Sequence, residues 1–164
     1  MSDRILPLYF NFCLETVIKN DVIILYMSEQ SSAKISDPQI KELFERKNFA
    51  FLSSLMKDGS PHVTPTWVDI EDDNILINTA LGRIKQENIS RDPRIALSIV
   101  DHDNQYEMVT VRGKVTEQIT GDVAEKHIDK LARKYINMDK YPRRSKGEQR
   151  VILKIKPEKI FHMK

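Results

Sequence analysis

The feature that most narrows the fold is a succession of short strand-like runs broken by tight turns. Residues 49–56 read as a strand, Lys57-Asp58-Gly59-Ser60 carries the Asp-Gly hairpin signal, and a second strand is expected over residues 62–70. The turn Glu71-Asp72-Asp73-Asn74 leads into a third strand over residues 75–79. Connections this short join antiparallel neighbours, so the three strands are expected as a meander. Further strands are predicted over residues 94–100, 106–117 and 149–155, with 157–163 as a closing tail. Val109, Val111 and Val115 share one face, and Thr110, Arg112, Lys114 and Thr116 share the other, which is the pattern of one-sided burial.

Three helices interrupt these strands. Ser36-Asp37-Pro38-Gln39 combines an N-cap candidate, a first-turn proline and a glutamine at capping distance, and Ile40, Leu43 and Phe44 follow at helical spacing to about Lys47. Residues 83–92 have room for two helical turns before Pro93 stops them. Over residues 122–136 the stripe Val123, Ala124, His127, Ile128, Leu131, Ala132, Tyr135 and Ile136 marks one face. Asp122-Lys126 and Asp129-Arg133 sit at ion-pair spacing beside it. Six strands with short connections point away from a doubly wound parallel sheet and toward a small antiparallel barrel, a mainly β (α+β) fold.

Length and composition bound the function. A chain of 164 residues has room for one domain with a real core. Its 26 basic and 24 acidic residues leave a formal charge of +2, a weak balance for covering phosphate backbones, so nucleic acid is not an expected partner. The single cysteine, Cys13, excludes an internal disulfide and fits a reducing compartment, so the cytoplasm is expected; with no basic neighbour it reads as a structural or incidental thiol. Residues 5–26 hold two apolar runs interrupted by Glu15, Lys19, Asn20 and Asp21, and a membrane span needs about 18 nearly unbroken apolar residues. No membrane partner is expected. Residues 1–33 read as an extension with two readings: a preface ahead of a true start at Met27, or a segment packing on the body or on a partner subunit. The domain proper is expected over residues 34–164.

The four histidines are isolated from one another and from other metal-type ligands, and no nucleophile elbow, dinucleotide fingerprint or P-loop occurs. The informative segment is Thr79-Ala80-Leu81-Gly82-Arg83-Ile84-Lys85-Gln86-Glu87-Asn88. A helix start offers free N–H groups and a positive dipole end, so cations there are mildly penalised. Arg83 and Lys85 nevertheless stand there, which makes sense if an anion sits between them. The other reading is a solvated basic turn balanced by Glu87.

The runs F-A-F-L-S-S-L-M-K-D-G-S-P-H-V-T-P-T-W-V-D, I-L-I-N-T-A-L-G-R-I-K-Q-E-N-I-S-R-D-P-R-I-A-L-S-I, V-R-G-K-V and R-V-I-L-K-I-K-P-E-K-I resemble the pyridoxamine phosphate oxidase-like flavin and deazaflavin oxidoreductases. The likeness covers about residues 36–162, and its most specific element is G-R-x-K-x-x-N after a strand. It is greatest to the branch that uses coenzyme F420.

The resemblance implies a six-stranded split β-barrel of the FMN-binding type, a homodimer with cofactor sites at the interface. It implies that Arg83 and Lys85 bind the cofactor phosphate, with Thr79 beside it and Asn88 supporting the loop. Val63, Thr64, Pro65 and Thr66 would lie along the cofactor ring, and Trp67 either walls the ring or fills the core. Tyr106 and Arg150 hold positions that reach the site from the second subunit in relatives; for Arg150 a solvated basic face with Arg143, Arg144 and Lys146 is the other reading. The implied activity is hydride transfer between F420 and a small organic substrate, with no catalytic side chain required. The alternatives are an FMN-binding oxidoreductase of the same fold and a non-enzymatic flavin, deazaflavin or haem binding module. Pyridoxamine phosphate oxidases proper carry further substrate-binding residues after the last strand. Phe161-His162-Met163-Lys164 shows no such segment, which points away from pyridoxal phosphate synthesis.

Overall fold

Within residues 33–164, which the computed structural model describes, the chain runs α1 (Pro38–Glu45), β1 (Ala50–Leu55), β2 (Pro61–Thr66), β3 (Asp69–Glu71), β4 (Asn74–Ala80), α2 (Ile84–Arg91), β5 (Arg94–Val100), β6 (Met108–Thr120), α3 (Asp122–Ile136) and β7 (Arg150–Met163). The two readings of the preface, and Cys13, fall outside the described residues.

The sheet has seven strands, not six, because the run expected over 62–70 divides at Trp67-Val68 into β2 and β3. Val68 and Asp69 are both buried, so the period-two alternation of a single strand ends there. The expected meander is corrected too. The strand order is β2-β1-β5-β6-β7-β4-β3, with every neighbouring pair antiparallel, so β2 and β4 never meet.

That order dictates the shape. Thr66 and Asp69 are three Cα steps apart, a reach of at most about 11 Å, yet they belong to strands at opposite ends of the sheet. Laid flat, seven strands would separate those ends by about 29 Å. The sheet must therefore roll until its first and last strands are neighbours, and Trp67-Val68 is the joint. The residues expected as a closing tail instead extend β7 to Met163, paired with β6 along its length. Bulges after Arg112 and Val115 bend this long ladder. At Gly113 a Cβ would meet the Lys156 carbonyl oxygen at 2.4 Å, so only glycine fits the bend.

The interior of the roll holds Leu52, Ile75, Ile77, Leu97, Ile99, Val109, Val111, Leu153 and Ile155, and α1 adds Ile40, Leu43 and Phe44. On the other face of β4 and β7, Leu76 and Ile152 pack against Ala124 of α3. Helix α3 has the predicted bounds and buries Ala124, His127, Ile128, Leu131 and Ala132 of the predicted stripe, while Val123 and Ile136 are exposed. The two expected ion pairs do not form. Asp129 instead accepts from Lys140 and Arg144, and Arg133 reaches Asp139, because the following loop folds back over the helix.

Candidate anion and ring pocket

Two tight turns build the site. Strand β4 ends at Ala80, and Arg83 N–H donates back to the Ala80 carbonyl at 3.4 Å, with Gly82 at φ 76° in the third position of the turn. A type II turn requires this positive φ, which glycine adopts without cost. Before β7, Glu148 N–H donates to Ser145 O at 3.1 Å, with Gly147 at φ 80° in the same position. The two turns are tied together where Leu81 N–H donates to Gln149 O at 3.0 Å. The side chains that follow the glycines, Arg83 and Glu148, meet at 2.9 Å from Nη2 to Oε2.

Helix α2 starts at this point. Arg83 is its N-cap and Lys85 its second residue, while Gln86 Oε1 reaches back to Gly82 N–H at 3.0 Å. The first N–H groups of the helix have no intrahelical acceptor and face the region of the two cations.

The third cation is Arg150. The β4–β7 register sets it opposite Ala80, on the same face as Asn78. It is only 3% exposed; Nη1 donates to Glu148 Oε1 at 2.7 Å and Nε to Asn78 Oδ1 at 2.8 Å. Asn78 is itself fixed, since Nδ2 donates to the Ala124 carbonyl at 2.8 Å and faces His127 Nδ1 at 3.3 Å. His127 Nε2 lies 3.3 Å from Asp69, which also accepts from Lys130.

A cavity of about 180 Å³ lies among these groups. Its polar side carries Arg83, Lys85, Arg150 and Asn78, and Pro65, Thr66, Trp67, Phe49, Tyr141 and Ile128 make the rest. Trp67 stacks on Tyr135 with ring centroids 5.1 Å apart and meets Tyr141 edge-on at 5.8 Å. Tyr141 in turn carries the Arg150 guanidinium 5.4 Å from its centroid. Lys85 is held below the usual lysine range by burial and by the neighbouring charges of Arg83 and Arg150. Burial pushes the Glu148 carboxyl up, but hydrogen bonds from Arg150 and Arg83 outweigh it, and the group stays below the usual carboxylate range. Arg83 and Arg150 share the Glu148 carboxylate and Lys85 adds a third positive charge, so the pocket has an excess of positive charge beside an aromatic wall. That donor set suits an oxyanion attached to a flat ring.

The sequence-predicted residues distribute unevenly. Arg83, Lys85, Arg150, Pro65 and Thr66 line the cavity, and Trp67 both walls it and packs. Arg150, for which the resemblance implies reach from a second subunit, stands in this chain's own pocket, because the β4–β7 register carries it there. Asn88 is a buried residue of α2, donating to Ser54 Oγ at 3.1 Å and accepting from Arg91 at 3.0 Å, which ties α2 to β1. Thr79 is buried on the inner face with Ile77, and its hydroxyl has no partner. Thr64, paired with Leu52, likewise keeps a buried unpartnered hydroxyl, whereas Val63 on the opposite face is 56% exposed. Tyr106 is 79% exposed and lies away from the cavity. Asn78, Glu148 and Tyr141 were not singled out from sequence. The one local signal at Asn78 is that it is a polar residue following the apolar run Ile75-Leu76-Ile77 in a strand.

A mainly β roll of seven antiparallel strands with three helices, carrying a cation-lined pocket where the fourth strand enters a helix, defines the class of protein. The sequence pattern of the pyridoxamine 5'-phosphate oxidase family matches residues 36–164, and the chain belongs to that family. No curated protein matches the chain. Among solved structures, one described as an F420 reductase is 27% identical with a TM-score of 0.66, covering 73% of this chain and 94% of that one. A conserved hypothetical protein from Mycobacterium tuberculosis is 22% identical with a TM-score of 0.64, covering 82% of this chain and 88% of that one. A Listeria innocua structure described as a pyridoxamine 5'-phosphate oxidase is 17% identical with a TM-score of 0.56, covering 76% and 94%. The last two likenesses bear on the fold alone. No helix among the described residues is long and apolar enough to cross a membrane.

Proposed function

We propose that the chain is an F420-dependent oxidoreductase in which Arg83, Lys85 and Arg150 hold the cofactor's phosphate. The observation that carries this reading is the convergence of three cations, and no carboxylate, on the lining of one partly buried cavity, with Glu148 bridging two of them from outside it. The 27% identity to an F420 reductase structure favours the deazaflavin over FMN.

The chain's own residues then have definite tasks. Arg150, fixed by Asn78 and Glu148, supplies a planar pair of donors, and Lys85 a point charge whose desolvation an anion relieves. A cavity of about 180 Å³ is too small for a tricyclic ring together with its phosphate. Phe49 also lines a second cleft of about 940 Å³ with Phe51 and Val100, so the ring has apolar surface to follow outward from the phosphate. When bound, the cofactor supplies the hydride chemistry. The protein orients the ring, excludes water from its inner edge and leaves the outer face for a small organic substrate.

A homodimer is part of the same proposal. Pro65, Phe51, Ser98, Thr110 and Phe161 lie in one uncharged row across five strands, and Val100, Met108 and Met163 continue the apolar character beside it. A second copy covering this face would also close the larger cleft.

Titration of the purified protein with F420 and with FMN tests the reading. Saturable F420 binding that Arg83→Ala with Lys85→Ala weakens at least tenfold supports it. Affinity unchanged in that variant removes the phosphate clamp, and tight binding of FMN alone reassigns the cofactor.

A further inference from the structure

Glu148 stands outside the lining of the cavity, yet it bridges two of the three cations that line it. Its two oxygens take one hydrogen bond each from Arg83 and Arg150, and its side chain is largely covered. The two arginines are not held alike. Arg150 is buried, with Asn78 as a second acceptor and the Tyr141 ring under its guanidinium. Arg83 has a side chain 47% exposed, and Glu148 is its one ion-pair partner among the described residues. Glu148 follows the glycine of a type II turn, so backbone geometry fixes the point from which its carboxylate reaches the two arginines.

We propose that Glu148 is a built-in counter-ion to the pocket's two arginines, and that the ligand's phosphate takes Arg83 from it while Arg150 stays in place. This rests on the reading of the pocket as a phosphate site. The carboxylate tempers the repulsion between Arg83 and Arg150 before the ligand arrives, and Lys85, whose charge is disfavoured by burial and by both arginines, gains from an incoming anion. It also sets a threshold. A phosphate matches two guanidinium groups and an ammonium better than a carboxylate does, so phosphate-bearing ligands displace Glu148, whereas a ligand without one leaves the pair closed.

Glu148→Gln keeps the shape and removes the charge. Dissociation constants for F420, FMN and riboflavin, the last identical to FMN except for the phosphate, are measured for the wild type, Glu148→Gln and Arg83→Ala. The expected result is tightening of the phosphate-bearing ligand by about tenfold in Glu148→Gln, the equivalent of one charge-assisted hydrogen bond removed from the competitor, with riboflavin unchanged. Equal or weaker binding in a folded Glu148→Gln, where the wild type binds and Arg83→Ala impairs it, overturns the proposal and makes Glu148 a tether. Binding indifferent to Arg83→Ala defeats the phosphate site itself, as does no binding by any variant. Glu148→Asp, which keeps the charge on a shorter arm, must not reproduce the gain, and thermal melts of each variant confirm that it is folded.

Discussion

Arg150 Nε donates to Asn78 Oδ1 at 2.8 Å, joining a buried cation of β7 to a buried amide of β4. The bond fixes the direction of the guanidinium before any ligand is present. Asn78→Ala leaves a buried charge short of an acceptor and is expected to cost about 1.5–3 kcal/mol in urea unfolding. Asn78→Asp keeps the acceptor but adds a carboxylate to the pocket lining. It is expected to weaken phosphate-bearing ligands by about tenfold in the titration described above.

Gly82 and Gly147 hold the turns that present Arg83 and Glu148. A Cβ at either position meets nothing within 4 Å, so only the backbone conformation resists substitution. Gly82→Ala is expected to lower stability by about 1–2 kcal/mol and to weaken ligand binding beyond that, since Arg83 follows directly. An alanine variant as stable as the wild type would show that the turn is not type II in solution.

Asp69 gives the fold an acid-sensitive element. Burial pushes its carboxyl up, but hydrogen bonds from His127 and Lys130 outweigh it and hold the group at about 2, against 3.8 for a free side chain. A carboxyl that ionises more readily when folded adds stability fully present above about pH 4 and lost as the pH falls through about 2. The contribution is about 2 kcal/mol. Urea midpoints measured from pH 6 to pH 2 should fall more steeply in the wild type than in Asp69→Asn.

Tyr135 bridges the joint of the roll to the start of β1. Its hydroxyl donates to the Asn48 carbonyl at 2.7 Å and accepts from Val68 N–H at 3.2 Å, and burial is the main cause that pushes its pKa up to about 12. Tyr135→Phe keeps the stack on Trp67 but strands the Val68 N–H. A loss of about 1–3 kcal/mol is expected, read as a lower urea midpoint at unchanged slope.

What the sequence revealed and what it withheld divide along range. The hairpin of β1 and β2, the bounds of α3 and the end of α2 before Pro93 are written in local signals: an Asp-Gly turn, a 3.6-residue stripe, a proline stop. The division of 62–70 was hidden because Trp67 and Val68 are themselves good strand residues; only closure of the whole sheet makes them a joint. For Arg150 the resemblance implies a place at the site while the local sequence equally allows a solvated basic face, since its burial follows from pairing with Ala80, far away in the chain. Glu148 was invisible for the same reason. Single charges carry no signature of the partner that long-range register brings to them.

Trp67 is the chain's lone tryptophan, and it occupies the joint, stacked on Tyr135 and facing the cavity. One indole therefore records two events. Its emission changes when the first and last strands are brought together during folding, and it is quenched when an absorbing ring settles against the pocket wall. Refolding followed by this signal, with ligand added before or after closure, separates assembly of the barrel from loading of its site without any added label.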